Sequence, residues 1–252
     1  MNGDFLALLP KAPAVPLTAP PAAPELQLQA TTVFAFQCAD GVIIAGDHRA
    51  TAGNIIFSDT TEKILELDAH SLMAIAGVPA TAFEMARTLQ TTFEFYRRSQ
   101  LQSMSLPAKI RALSRLLREN LPATLQGFGI VSPIFAGVEA NDPKSKPVIC
   151  FYDPLGAQFE AANFAGSGSG SGSIKSVLHF LDKWGKPRPS EMSADEATTL
   201  ATRLLMTASA FDTATGGVRP DQQLYATVKL LSHEGIRTIS QAEQEHGWAQ
   251  AI

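Results

Sequence analysis

Cysteine is nearly missing from these 252 residues: Cys38 and Cys150 are the only two. Two are too few for a disulfide framework and fit a reducing compartment; both are expected to be small core residues, as free cysteines usually are. Basic charge is not in excess either. Twenty Lys and Arg stand against 24 Asp and Glu, a formal charge of −4, which argues against nucleic acid as a partner. Long apolar runs are also lacking. Phe5–Leu9 is short, has no basic residue before it and runs into Pro10, so it makes a poor secretory signal and no membrane span. What remains is an ordinary globular composition, 45% hydrophobic and 17% charged, in a chain long enough to bury a substantial core.

Proline is unevenly spread: positions 10, 13, 16, 20, 21 and 24 hold six of the sixteen, in a stretch with only three charged residues. Such a stretch sustains neither helix nor central strand, and residues 1–30 are expected to form an extended leader. Beyond it the pattern becomes β-rich. Val33–Phe36 and Val42–Asp47 flank the turn pair Asp40-Gly41, a hairpin signal, and Lys63–Leu67 and Ser71–Gly77 read as a second pair across Asp68-Ala69-His70. These four strands are expected in one antiparallel sheet.

After Pro79 the period lengthens. Phe83, Ala86, Gln90, Phe93 and Arg97, with Met85 and Leu89, predict one helix; Ile110, Leu113, Leu116, Leu117 and Leu121 predict a second, ending near Pro122. Strands are expected again at 130–138, 148–152 and 158–164, helices over 171–184 and from the capping box Ser193–Glu196, and a terminal hairpin over 224–239. Sheets and helix pairs in this order suit an α+β fold, a four-layer α-β-β-α sandwich that buries every amphipathic face.

Thr31-Thr32 is the place to look for chemistry. A threonine hydroxyl is a weak nucleophile unless a base adjoins it, and a free N-terminal amine on the same residue can be that base; cleavage after Ala30 would create it on Thr31. Asp47 and Lys63 follow at intervals of sixteen residues, each at a strand end. An ammonium beside the threonine would favour loss of the hydroxyl proton, and Asp47 would keep the lysine charged and oriented. Gly77 sits between a strand and a helix, where a backbone N–H can serve as an oxyanion donor. Gly166–Ser173 alternates Gly and Ser; its composition reads as a flexible linker or loop rather than a phosphate cradle, because the Walker lysine is missing. Asp212-Thr213-Ala214-Thr215-Gly216-Gly217 reads as a helix cap whose side chains could also reach a polar site.

Together, Thr31-Thr32, Gly46-Asp47-His48-Arg49-Ala50-Thr51, Lys63, Ala76-Gly77, the Gly-Ser repeat and the 212–217 segment resemble a proteasome core-particle β subunit of the bacterial, actinobacterial type, over about residues 31–240. The resemblance implies an N-terminal-nucleophile hydrolase fold, stored with a propeptide (1–30) that is removed by autocatalytic cleavage at Ala30-Thr31, followed by one catalytic domain (31–252) ending in a tail of about twelve residues. It implies a threonine endopeptidase with Thr31 as nucleophile and base, Asp47 and Lys63 completing the triad, Gly77 as oxyanion donor, and Asp212 and Thr215 supporting the amine. The family's supporting serine aligns with Ser169 or, counted from the preceding strand, with Ser167. Ala30 stands where glycine is common, and Thr215 where serine is frequent.

The positions resembling the substrate pocket are Ala50, Thr51, Thr61, Leu65, Ile75 and Pro79. They are uncharged and mostly apolar, which favours cleavage after large hydrophobic residues. The implied partners are proteasome α subunits and other β subunits in stacked seven-membered rings, an ATPase unfoldase and unfolded proteins, in the cytoplasm, with no cofactor, metal, nucleic acid or membrane. The competing expectations are a simpler two-ring, unfoldase-driven threonine peptidase and an inactive subunit that serves ring assembly.

Overall fold

A computed structural model describes residues 28–52, 55–142, 144–218 and 225–249. Its strands are β1 (Leu28–Ala30), β2 (Thr32–Cys38), β3 (Gly41–Gly46), β4 (Ala50–Ala52), β5 (Ile55–Ser58), β6 (Ile64–Asp68), β7 (Ser71–Ala74), β8 (Ile134–Gly137), β9 (Val148–Tyr152), β10 (Gln158–Ala161), β11 (Phe164–Gly168), β12 (Thr227–Ser232) and β13 (Gly235–Thr238). Its helices are α1 (Pro79–Gln100), α2 (Leu106–Glu119), α3 (Leu121–Leu125), α4 (Ser171–Trp184), α5 (Ala194–Phe211) and α6 (Gln241–Ala249). Two five-stranded sheets run β11-β2-β3-β12-β13 and β10-β9-β8-β7-β6, and β1, β4 and β5 form a small third sheet.

Strand alternation builds the layers. Along β2, Phe34 and Phe36 face α4 and α5 in one cluster, while Val33 and Ala35 face the second sheet in another. Ile43 and Ala45 on β3 likewise join the helix side, and Val42 and Ile44 the space between sheets. The second sheet mirrors this: Leu72, Ala74, Ile134 and Ala136 turn inward, and Met73 and Phe135 turn to α1 and α2. Neighbouring residues on a strand point to opposite faces, so strands covered on both sides read as unbroken apolar runs. The result is the expected four-layer sandwich.

Several local expectations are corrected. The first two hairpins do not share a sheet: β2-β3 lies in one and β6-β7 in the other, their inward residues meeting across the interior. Similar apolar content on both hairpins does not say whether they pair edge to edge or stack face to face. The run 158–164 is split between β10 and β11, which lie in different sheets. Gly166–Gly168, read as linker, is strand: Gly166, Ser167 and Gly168 pair with Phe34, Val33 and Thr32. The α1 stripe is Ala82, Met85, Ala86, Leu89 and Phe93, with Phe83 partly buried against it and Gln90 and Arg97 outside it. The chain does not end in the hairpin, because α6 follows β13. Of the leader, residues 1–27 lie outside the described residues, and 28–30 form β1.

Candidate active site

Asp47, at the end of β3, organises the site. Its Oδ1 accepts the Thr32 N–H at 2.9 Å and the Lys63 ammonium at 2.7 Å. Its Oδ2 accepts the N–H groups of Arg49 at 2.9 Å and Gly216 at 2.8 Å. Four donors saturate a carboxylate that is fully buried, as Lys63 is to within 2%. Lys63, just before β6, also donates to the Arg49 carbonyl. Burial pushes the Lys63 pKa below the ordinary lysine value, and the Asp47 charge opposes that shift.

A second carboxylate enters from the C-terminal end of α5. Asp212 Oδ2 accepts hydroxyls of Ser169 at 2.6 Å and Thr215 at 2.6 Å, and Oδ1 accepts the Ala214 N–H at 3.1 Å. Burial by itself would raise the Asp212 carboxyl, but these bonds and the nearby Lys63 charge outweigh it and hold the pKa below its usual value. Thr215 spends its one hydroxyl proton on Asp212, so the Thr32 hydroxyl, 2.6 Å from Thr215 Oγ1, must donate to Thr215. Thr32 Oγ1 in turn accepts the Gly170 N–H at 3.0 Å. Proton order therefore runs Gly170, Thr32, Thr215, Asp212.

Thr31 adjoins both groups through its neighbour Thr32, whose N–H meets Asp47 and whose hydroxyl meets Thr215. It is 5% exposed, and its carbonyl accepts the Ser169 N–H at 3.0 Å. Gly168 permits that approach: its φ is +93°, and a Cβ there would stand 1.7 Å from the Thr31 carbonyl oxygen. Behind Thr31, Ala30 is opposed to Thr51 and Leu28 to Ala52, so the last leader residues run as a strand along β4.

Gly77 follows β7 and meets Val131 in a single antiparallel bridge. The flanking bonds are Val78 N–H to Ile130 and Ser132 N–H to Ala76, the wide-pair pattern in which the central N–H points away from the partner strand. Its φ of +118°, with a Cβ falling 2.1 Å from the Ile130 carbonyl, reserves the position for glycine.

The structure thus joins Thr31, Asp47, Lys63, Ser169, Asp212 and Thr215 through direct bonds or one shared neighbour. Of the two serines left open, Ser169 meets Asp212, whereas Ser167 donates to the Ser132 carbonyl at 2.7 Å. Ala50 and Thr51 lie on β4, which pairs antiparallel with β1. Leu65 and Ile75 belong to the cluster under α1, Pro79 opens that helix, and the Thr61 carbonyl is taken by His48. Among the described residues no cluster of three or more His, Cys, Asp or Glu is placed to hold a metal ion.

Sequence reasoning assigned no part to Arg49, which donates to Asp59 at 2.9 Å and to the Thr213 carbonyl at 3.1 Å, tying the Asp47 loop to the 212–217 loop. Its only signal was its place in the Gly46–Thr51 motif. The Thr32 side chain was missed because its partners are 138 and 183 residues away.

A proteasome subunit family model matches residues 28–218. The proteasome subunit beta of Jonesia denitrificans is 37% identical over 216 residues, covering 86% of this chain and 68% of that protein. Those of Stackebrandtia nassauensis and Acidimicrobium ferrooxidans are each 36% identical, covering 85% of this chain and 75% and 76% of their own lengths. With matches of this extent upon an α-β-β-α sandwich whose loops converge on Thr31-Thr32, the chain belongs to the proteasome subunit family.

Proposed function

We propose that this chain is the catalytic β subunit of a bacterial proteasome core particle, a threonine endopeptidase that cuts unfolded proteins. The observation that carries this reading is the convergence of Asp47, Lys63, Ser169, Asp212 and Thr215 on residues 31 and 32. In the first stage the Thr31 hydroxyl attacks the Ala30 carbonyl carbon, the acyl group passes from nitrogen to oxygen, and water hydrolyses the ester. Thr31 then carries a free amine, and residues 1–30 leave as a propeptide. In each later turnover the Thr31 oxygen attacks a substrate carbonyl and its proton passes to that amine. The Gly77 N–H stabilises the oxyanion, the substrate's leaving nitrogen takes the proton, and water releases the acyl product. The Lys63 charge holds the amine unprotonated by disfavouring a second cation.

Leu65 and Ile75 support a pocket that favours large hydrophobic side chains. The relatives named proteasome subunit beta support assembly with other subunits into a proteasome core; we extend this to stacked rings of α and β subunits served by an unfoldase, in the cytoplasm. Thr31→Ala is expected to leave the leader attached and abolish hydrolysis of fluorogenic peptides, with the unsubstituted enzyme favouring those ending in Leu, Tyr or Phe. Processing and full activity in Thr31→Ala, read by mass spectrometry and peptide cleavage, would defeat the proposal.

A further inference from the structure

The Arg49 side chain stands at a junction that the chemistry above leaves unused. Its backbone already belongs to the site, because the N–H donates to Asp47 Oδ2 at 2.9 Å and the carbonyl accepts the Lys63 ammonium. The side chain leaves in two directions. Nε donates to Asp59 Oδ1 at 2.9 Å, and Nη1 donates to the Thr213 carbonyl at 3.1 Å. Arg49 immediately precedes β4 and Asp59 immediately follows β5, and those strands pair antiparallel with Ala50 opposite Ser58. The ion pair therefore closes the base of the β4–β5 ribbon, while the second arm ties that base to the 212–217 loop.

The ribbon has a particular need of such a tie. On β5, Ile55, Ile56 and Phe57 are 71%, 51% and 74% exposed, so apolar burial does little to fix its place. Its register also shifts between Ala50 and Thr51, an irregularity of the kind that bends a strand pair. Yet β4 is the strand beside which the leader runs, with Ala30 opposite Thr51 and Leu28 opposite Ala52. An ion pair on an open surface would be worth little. Here the Arg49 side chain is 10% exposed and that of Asp59 29%, and the planar guanidinium serves two acceptors at once, which a lysine could not reproduce. Gly216 packs against the junction so closely that a Cβ there would stand 3.1 Å from the Arg49 Cβ.

We propose that Arg49 is a positioning residue that aligns an extended chain beside β4 with the catalytic groups. Through Asp59 it fixes the base of the ribbon on which that chain is seated; through the Thr213 carbonyl it holds the same base against the loop that carries Asp212 and Thr215. The inference rests on the reading of Thr31 as nucleophile, with a substrate taking the place beside β4 that the leader vacates. The two arms have separate consequences. Loosening the ribbon weakens contacts made away from the reacting atoms, equally in the bound and transition states, and so raises KM. Releasing the 212–217 loop as well displaces groups beside Thr31, and so lowers kcat.

The test uses assembled, processed particles carrying Asp59→Ala, Asp59→Asn or Arg49→Met, with kcat and KM measured for a hydrophobic fluorogenic peptide. Asp59→Ala is expected to raise KM about tenfold, the scale for one hydrogen bond between charged groups, with kcat little changed. Asp59→Asn keeps an oxygen that accepts from Nε and should restore most of the unsubstituted KM. Arg49→Met opens both arms, so it should raise KM in the same measure and also lower kcat about ten- to a hundredfold, the scale for displaced catalytic groups. An unchanged KM in Asp59→Ala, equal KM values in Asp59→Ala and Asp59→Asn, or an unsubstituted kcat in Arg49→Met would each overturn the inference. Where Arg49→Met does not assemble, the two Asp59 variants decide alone. Thr31→Ala separates the inference from the broader reading: an inactive Thr31→Ala beside an indifferent Asp59→Ala defeats only the role of Arg49, whereas an active Thr31→Ala defeats the chemistry itself.

Discussion

Removing both members of the Lys63–Asp47 pair should cost less than the two single losses added together. At 2.7 Å and an effective dielectric of about 20, the gross attraction is roughly 6 kcal/mol, much of it offset by the desolvation of both groups. Lys63→Met keeps the volume but leaves a buried carboxylate without a counter-charge. It retains three N–H donors, from Thr32, Arg49 and Gly216, so the loss should fall near the lower end of the usual range, about 3 kcal/mol. Asp47→Asn strands the lysine ammonium and turns an amide NH2 toward backbone donors, a loss of about 3–5 kcal/mol. The double variant carries neither charge, and its loss should be smaller than the sum by about 2 kcal/mol or more, within the range seen for contacting residues. The assay is equilibrium urea unfolding followed by circular dichroism, with all four chains in a Thr31→Ala background so that processing does not change the molecule between samples. Additive losses, with coupling under about 0.5 kcal/mol, would refute this account of the pair.

Gly168→Ala should abolish processing and peptide hydrolysis together, since its Cβ would fall 1.7 Å from the Thr31 carbonyl oxygen; an active, processed Gly168→Ala enzyme would show that β11 need not approach so closely. Ser169→Ala should lower kcat by about tenfold or more through the loss of a charge-assisted bond to Asp212, while Ser167→Ala, which loses only a bond to the Ser132 carbonyl, should leave kcat within about twofold; equal losses in the two would remove the distinction. Because burial lowers the Lys63 pKa, the ammonium is lost at a lower pH than an ordinary lysine, so the alkaline limb of kcat should lie below the usual lysine range, as a pH profile with a peptide substrate will report.

How much of the site was legible varied with the distance over which its parts act. The roles proposed for Asp47 and Lys63 came from a recognisable order of short motifs. The choice between Ser167 and Ser169 could not be made that way, because a strict Gly-Ser alternation offers the same residue at every second step. Only the strand register does so: β11 ends at Gly168 opposite Thr32, leaving Ser169 to reach Asp212 across 43 residues of chain. Arg49 carried no separate signal, for a cation two residues from an aspartate is usually a surface charge.

By itself the sequence determined what local physics can enforce: apolar alternation along strands, the capping box at Ser193 and the proline that opens α1. Tertiary structure alone decided which hairpins stack rather than pair, and which hydroxyl donates to which carboxylate. Those choices depend on contacts spanning more than a hundred residues, where the free energy lies in burial and proton order between segments and leaves no periodic trace within any one of them.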